Sequence, residues 1–345
     1  MPSYPEYIAW AQKTLDVRVH SNIVVEDMPP PYYRGVVARS RIPAGKPLVS
    51  VPLGSLLSIQ TMDGHPIESI MEKFEDLDLR EDDMLALMLL FEKHIAVRAY
   101  MRIIPNITRT WRGRHATLHD AHPAHPSVQG PDSKWSKHVQ LLPKSFDTVH
   151  FFTADEMTQL QGTSNLHKLA MQVQQQVRQD YVRIFTLLFD HYAHLGFTAE
   201  YVPVPPLSIA TPPNRPPPTV HTVHSLALLH RTFSLEEYTW AIACIWSRFV
   251  SVTVPMHDGQ ERSMKVMAPL FDMFNHDPEA RMIHKYEPSV GCLVITCNQA
   301  YAPGTQVNLN YGQLPNERVS PFCFCPLAAF CHTLPDFTHL SGRSC

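Results

Sequence analysis

The pattern of apolar and polar positions predicts a chain that changes between helical and extended segments several times. Apolar residues at helical spacing predict three helices and the start of a fourth, namely Tyr4–Leu15, Glu81–Tyr100, Leu166–Tyr192 and one that begins at Ser234. Alternating residues bounded by turn signals predict strands within Arg34–Ile59, Cys292–Cys297 and Gln306–Asn310. These elements together predict a fold of the α+β class.

The first strand-like region carries its own turn signal. Two alternating apolar runs within residues 34–59 flank Pro43-Ala44-Gly45, which is a typical turn sequence. Local chemistry therefore predicts a β-hairpin or a meander here.

The chemically most informative stretch runs from Val266 to Gly312. It places Asp272, Asn275 and His276 after an apolar segment, and Tyr311-Gly312 after the last predicted strand. A hairpin around Gly291 can bring the two polar groups together. Asn and His can then offer hydrogen bonds to a purine edge and an amino acid, and the tyrosine hydroxyl can point into a buried channel. The alternative interpretation is a capped turn beside a core tyrosine.

The order of these residues resembles that of one protein family. The pattern Pro-x-x-Asp-x-x-Asn-His, followed by Tyr-Gly and Asn316, resembles the C-terminal half of SET-domain methyltransferases. The similar branch contains the RuBisCO large-subunit lysine methyltransferase and the actin-histidine methyltransferase. Three further segments match patterns of that family, namely Arg34–Leu48, Trp135–Thr163 and Trp240–Arg248. One departure is His138, which stands where the family usually has tyrosine.

The resemblance implies an architecture and a division of the chain. It implies a pseudo-knotted SET fold of short β-strands and small sheets that is split by a long, mainly helical insertion. The expected boundaries are 1–75 for the first part of the fold, 76–230 for the insertion, 231–316 for the catalytic part and 317–345 for a divergent tail. The substrate-binding domain of the family is expected to be absent.

The resemblance also implies a cofactor and roles for individual residues. The implied cofactor is S-adenosyl-L-methionine, and Tyr311 is the implied catalytic residue that orients the amine. The residues implied to hold or brace the cofactor are Arg34, Gly35, Arg248, Asp272, Asn275 and His276. Candidates for the wall of the substrate channel are Val250, Phe271 and Tyr286, because aromatic and apolar walls suit an amine that must lose its proton.

The methylated side chain is predicted from the second residue after Arg248. Histidine-modifying members of the family place Asn there, whereas this chain has Val250 after Phe249. An apolar wall suits a lysine stem, so lysine of a protein substrate is predicted. Protein histidine is the second choice. A catalytically silent SET scaffold that binds protein partners is the alternative from another class.

Composition limits the remaining possibilities. Of 345 residues, 44% are apolar and the net charge is −3, so neither direct nucleic-acid binding nor membrane association is expected, and a monomer is predicted. The seven cysteines are irregularly placed, which favours reduced thiols in the cytoplasm or nucleus. No metal is predicted, although the histidines of His115–His125 and the cysteines of Cys323–Cys331 are candidate ligand sets. Segments 109–134, 203–218 and 317–345 are predicted to be poorly ordered.

Overall fold

The computed structural model describes residues 2–29, 33–62, 65, 79–103, 133–162, 166–192, 233–255 and 260–311. The predictions of poor order for 203–218 and 317–345, and for nearly all of 109–134, lie outside the described residues. The same is true of Gly312, Asn316 and both sets of candidate metal ligands.

Within the described ranges, eight short strands form one sheet and two ribbons. The strands are β1 Arg18–Val19, β2 Ile23–Asp27, β3 Arg34–Ala38, β4 Pro47–Pro52, β5 Phe249–Pro255, β6 Glu261–Met267, β7 Met282–Glu287 and β8 Cys292–Cys297. An antiparallel sheet has the order β1-β4-β8-β7, and β2–β3 and β5–β6 form antiparallel ribbons. The sheet therefore joins strands from both ends of the chain.

Six α-helices occupy the N-terminus and the middle of the described chain. They are α1 Tyr4–Leu15, α2 Glu81–Ile103, α3 Ser136–Leu141, α4 Ala154–Gln159, α5 Leu166–Tyr192 and α6 Leu235–Arg248. The four predicted helices are confirmed as α1, α2, α5 and α6. The start of α6 is fixed because the Ser234 side chain accepts a hydrogen bond from the Glu237 backbone N–H at 3.2 Å.

The hairpin or meander predicted for residues 34–59 is wrong. Both strands and the turn with Gly45 at φ +78° are present, but β3 pairs with β2 and β4 pairs with β1 and β8. The connecting residues do not return along β3 because Ile42 forms a bridge with Tyr301 instead. Partners from the far end of the chain thus override the local hairpin signal.

The strand predicted over Gln306–Asn310 is also wrong in detail. The segment is extended but forms only isolated bridges, one between Val37 and Gln306 and one between His276 and Leu309. Its backbone donors are divided between two partners: Val307 N donates to Val36 O at 2.7 Å, and Leu309 N donates to Asn275 O at 2.8 Å. Because the segment forms a single bridge with each of its two partners, no regular β-ladder forms.

The apolar side chains form two main cores. The first, which we call the strand core, joins α1 to the strands and includes Tyr7, Ile42, Val51, Phe274 and Leu293. The second, the helical core, lies among α2, α5 and α6 and includes Leu89, Phe185, Tyr238, Ile242 and Trp135. The polar site described next lies where α6 and α3 meet the strand core.

Candidate functional site

The two polar ends of the 266–311 segment meet. Leu270 takes a left-handed conformation with φ +71° and leads into the 3-10 turn Phe271–Met273, after which Asn275 and His276 follow. The backbone N–H of Tyr311 donates to Nδ1 of His276 at 3.1 Å, and the two rings lie 5.1 Å apart. The expectation that a hairpin brings these groups together is confirmed.

Strand β3 completes this site through its backbone. The Asn275 side chain donates from Nδ2 to the Arg34 carbonyl oxygen at 2.7 Å. A Cβ at Gly35 would lie 2.9 Å from Asn275 Nδ2 and 2.9 Å from Gln306 Nε2. A side chain at this position would therefore displace both amide groups.

A buried charged cluster lies next to these residues. Arg34 donates to the Asp272 carboxylate oxygen Oδ2 at 3.1 Å and to its carbonyl oxygen at 3.2 Å. The Arg248 Nε lies 3.5 Å from the same Oδ2. The Arg248 side chain is 10% exposed and that of Asp272 is 3% exposed, so this ion pair lies largely away from water. Strand β3, helix α6 and the 3-10 turn each contribute one member.

The charges in this cluster fix the protonation state of Asp272. Burial raises the pKa of the Asp272 carboxyl, but nearby positive charge, above all that of the Arg34 guanidinium, outweighs burial, and the pKa lies below its ordinary value. Burial also lowers the pKa of the Arg248 guanidinium, with a further lowering by Arg34 that Asp272 opposes. An ionised carboxylate between two guanidinium groups is the resulting arrangement.

Several buried polar atoms of the site have no hydrogen-bond partner among the described residues. They are Arg248 Nε, Asp272 Oδ1, His138 Nε2 and Gln306 Nε2. Buried polar atoms of this kind are costly unless something else satisfies them. A guanidinium N–H and a carboxylate oxygen suit the carboxylate and ammonium groups of an amino-acid moiety. The residues present therefore fit the amino-acid end of S-adenosyl-L-methionine.

A tyrosine–histidine pair adjoins the charged cluster. The Tyr7 hydroxyl lies 2.8 Å from Nδ1 of His138, and both residues are buried. The pKa of His138 is lowered, first by burial and then by Arg248 and Arg34, although Asp272 opposes this. The imidazole is therefore neutral at neutral pH.

The predicted catalytic and channel residues differ in how far they are buried. Tyr311 is 44% exposed, and its hydroxyl donates to the Phe274 carbonyl oxygen. Val250 on β5 and Tyr286 on β7 are partly buried and pack against the strand core. Phe271 is 2% exposed and lies within that core. The structure thus brings Tyr311 to His276, and places Val250 and Tyr286 at the margin of the strand core.

Sequence reasoning missed three residues of this site. Tyr7 is one of several apolar positions on α1, and nothing local distinguishes it as a partner of His138. The replacement of tyrosine by His138 was a signal, but its neighbour Asp272 lies far along the chain. Gln306 lies in the alternating segment, and its side chain reaches Gly35 because the segment forms a bridge with β3. The sequence does not reveal that bridge, so it could not identify Gln306.

No cluster of three or more His, Cys, Asp or Glu side chains that could hold a metal ion occurs among the described residues. None of the helices in the described ranges has the length and apolar character needed to cross a membrane.

The fold and the site together define a protein of the SET class. Its small antiparallel sheets include strands from both ends of the chain, its middle is helical, and an Asn-His segment contacts a tyrosine. The chain belongs to the SET-domain family, because the family profile of the SET domain matches residues 33–312. The resemblance and the fold class expected from the sequence are confirmed.

Known proteins resemble the chain in sequence and in structure. Actin-histidine N-methyltransferase of Homo sapiens is 27% identical over 146 residues, which are 42% of this chain and 19% of that protein. The protein of the same name from Mus musculus is 26% identical over the same length and shares. The chain thus matches about a fifth of the length of these curated relatives.

Two solved structures of Rubisco LSMT share the fold. The structure bound to AdoMet has a TM-score of 0.59 and 15% identity, with 94% of this chain and 56% of that chain covered. The structure bound to sinefungin and monomethyllysine has a TM-score of 0.61 and 16% identity over the same shares.

Proposed function

We propose that the protein is an S-adenosyl-L-methionine-dependent protein methyltransferase. The observation that carries this proposal is the charged cluster of Arg34, Asp272 and Arg248, whose unpartnered buried atoms adjoin the Asn275–His276 segment and Tyr311. Buried polar atoms are normally satisfied, so a ligand that completes this cluster would remove an energetic cost. Membership of the SET family and the AdoMet bound by Rubisco LSMT support the choice of cofactor.

The site residues would divide the cofactor between them. Arg248 would receive its carboxylate, and Asp272 would receive its ammonium group, since charge-assisted hydrogen bonds of this kind are strong. Asn275, held against the Arg34 carbonyl, and His276 would hold the adenosine side. Gly35 leaves room for this arrangement because a side chain there would displace Asn275.

The chain's own contribution to catalysis would be orientation and exclusion of water. When bound, the cofactor supplies an activated methyl group on a sulfonium. Tyr311 would orient the acceptor nitrogen through its hydroxyl, and alignment of this kind removes much of the entropic part of a barrier. A free lysine has a pKa of about 10.4, so the acceptor must lose its proton. Apolar surface at Val250 and Tyr286 would favour the neutral amine.

Lysine is the proposed acceptor. Val250 is partly buried on β5 opposite Val266, and its side chain offers no hydrogen bond to orient an imidazole. Histidine is the second candidate, because the actin-histidine N-methyltransferases are 26–27% identical to this chain over 146 residues. The two candidates share the cofactor site and differ only in the channel wall.

Calorimetry with S-adenosyl-L-methionine tests the cofactor site first. We expect saturable binding to the folded protein, and the absence of heat at millimolar cofactor would refute the enzyme. Cofactor binding without methyl transfer to any protein of a cell extract would support the silent scaffold instead.

Labelled cofactor in a cell extract then tests the acceptor. Mass spectrometry of the labelled proteins should place the methyl group on lysine, and label on histidine alone would select the second candidate. Tyr311→Phe is the matched variant: it should retain the cofactor and lose at least about a hundredfold in rate, the lower end of what positioned catalytic groups contribute. Equal rates for variant and wild type would remove Tyr311 from the mechanism.

A further inference from the structure

We propose that Ser247 is a positioning residue, whose hydroxyl holds the Arg248 guanidinium ready for the carboxylate of the cofactor. This inference deepens the proposed function and rests on it. It starts from three contacts of the guanidinium, which are made with Ser247, Phe146 and Asp272.

The direction of the hydrogen bonds at Ser247 follows from the donors available. Arg248 Nη1 lies 2.6 Å from Ser247 Oγ, and the serine oxygen accepts because a guanidinium has only donors. The single hydroxyl proton then serves a helix carbonyl, since Oγ lies 2.6 Å from the Ala243 oxygen and 3.2 Å from the Cys244 oxygen. Ser247 therefore links the guanidinium to carbonyls near the C-terminal end of α6, where the helix dipole favours a positive charge.

Two further contacts restrict the same guanidinium. Arg248 Cζ lies 5.7 Å from the centroid of the Phe146 ring, which is within the range of a cation–π contact. Phe146 is buried and stacks on Phe151 with the ring centroids 6.2 Å apart, so its ring has little freedom to move. On another side, Arg248 Nε lies 3.5 Å from Asp272 Oδ2. The guanidinium is thus fixed before any ligand binds.

The bond to Ser247 leaves a donor of Arg248 open. It uses Nη1, whereas the buried Nε has no hydrogen-bond partner among the described residues. Positioning by Ser247 therefore does not compete with a ligand for Nε. A guanidinium without this bond would have to be ordered when the ligand binds, and ordering a long side chain weakens binding.

Ser247→Ala is the primary test. We expect about a tenfold loss of affinity for S-adenosyl-L-methionine by calorimetry, the loss that corresponds to one hydrogen bond to a charged group. Ser247→Thr keeps the hydroxyl, which can still bond the preceding helical turn, and should bind like the wild type. Equal affinity for Ser247→Ala and wild type would overturn the proposal.

Thr239→Val is the matched control on the same helix. The Thr239 hydroxyl donates to the Leu235 carbonyl oxygen at 2.7 Å, which is the same kind of bond that Ser247 makes to Ala243. Valine keeps the shape of the side chain and removes this bond. Thr239 lies two turns of α6 before Ser247, so the variant should leave cofactor affinity unchanged.

Decarboxylated S-adenosyl-L-methionine separates positioning from a general structural effect. The positioned guanidinium acts on the carboxylate, so the decarboxylated compound should bind to Ser247→Ala as tightly as to the wild type. A general distortion of the site would weaken the binding of both compounds alike. Equal losses for the two compounds would therefore overturn the positioning role of Ser247.

Arginine side-chain NMR distinguishes failure of this inference from failure of the proposed function. In the ligand-free protein, rotation about the Cζ–Nη1 bond of Arg248 should be slower in the wild type than in Ser247→Ala. If the wild type binds no cofactor but shows this difference, the proposed function fails while the restraint on Arg248 stands. If the wild type binds cofactor and rotation is equally fast in both proteins, the positioning role fails while the proposed function stands.

Discussion

Asp83 and Asp272 are both buried aspartates held between two arginines, yet their hydrogen bonds differ. The Asp83 oxygens receive hydrogen bonds from Arg80, from Arg183 at 3.0 Å and from the Tyr238 hydroxyl at 2.9 Å. Asp272 uses Oδ2 for Arg34 and Arg248 and leaves Oδ1 without a partner among the described residues. The first carboxylate is saturated and the second is not.

This difference is the one expected between a structural cluster and the cofactor-binding cluster that we propose. Asp83 joins α2 to α5 through Arg183 and to α6 through Tyr238, so its bonds connect the helices of the helical core. Its arginines are 47% and 35% exposed and keep contact with water. In the site the arginines are only 18% and 10% exposed. An unsaturated carboxylate among buried cations costs stability, and that cost is understandable where a ligand completes the cluster.

Substitution of Asp83 by Asn should produce the largest effect and confine it to stability. The change removes the carboxylate that accepts from the buried Tyr238 hydroxyl, and it leaves Arg80 and Arg183 paired with Asp180 alone. We expect about 3 kcal/mol loss in the free energy of unfolding, measured by urea denaturation, because a buried pair has been broken. Cofactor affinity of the folded fraction should be unchanged. A loss of affinity without loss of stability would reverse the assignment of the two clusters.

Substitution of Asp272 by Asn should have its main effect on binding. The amide keeps the shape but loses the negative charge that an ammonium group and two guanidinium groups require. We expect about a thirtyfold loss of cofactor affinity by calorimetry, roughly 2 kcal/mol. In thermal denaturation, cofactor should raise the Tm of Asp83→Asn as much as that of the wild type and barely raise that of Asp272→Asn. Equal shifts for both variants would show that the clusters have the same role.

The sequence could reveal the parts of this contrast that depend on residues close together in the chain. Helical spacing sufficed for α5, since Val177, Tyr181 and Ile184 are buried on one face as the pattern predicts. The approach of His276 to Tyr311 was also predictable, because a hairpin connects them. Each half of the site is thus encoded locally.

The pairing of distant segments was not predictable from local patterns. Strand β3 has the composition of a hairpin strand, but its partners β2 and Gln306 are chosen by burial and not by the turn at Gly45. Likewise, no periodicity distinguishes the saturated Asp83 from the unsaturated Asp272. That distinction depends on Arg183 and Arg248, whose positions are fixed only when the helices pack.

Substitution of Gly35 by Ala tests the site from the backbone side. The new Cβ would meet Asn275 Nδ2 and Gln306 Nε2 at 2.9 Å, so both amides must shift. We expect a loss of cofactor affinity of about fivefold, near 1 kcal/mol. Gly54→Ala is the matched control, because a Cβ there meets nothing within 4 Å. If both variants bind like the wild type, the close packing around Gly35 has no role in binding.

The smallest effect is expected from substitution of Lys93. This substitution tests how much of the stability of the helical core comes from charge alone. Its Nζ lies 3.0 Å from both Glu237 carboxylate oxygens and 3.9 Å from the centroid of the Trp240 ring. The two ion-pair side chains are 31% and 27% exposed, so water screens their attraction. Lys93→Met keeps the apolar stem on Trp240 and removes the charge.

We expect Lys93→Met to lower the free energy of unfolding by about 0.5 kcal/mol in urea denaturation and to leave cofactor affinity unchanged. A loss as large as that of Asp83→Asn would mean that partly exposed charges stabilise the helices as strongly as the saturated cluster does. Lys93→Ala separates the two contributions, because it removes both the charge and the stem. If packing of the lysine stem dominates, the alanine variant loses more stability than the methionine variant. The stabilising role of Asp83 would then follow from its burial and its full set of hydrogen bonds, and not from ion pairing in general.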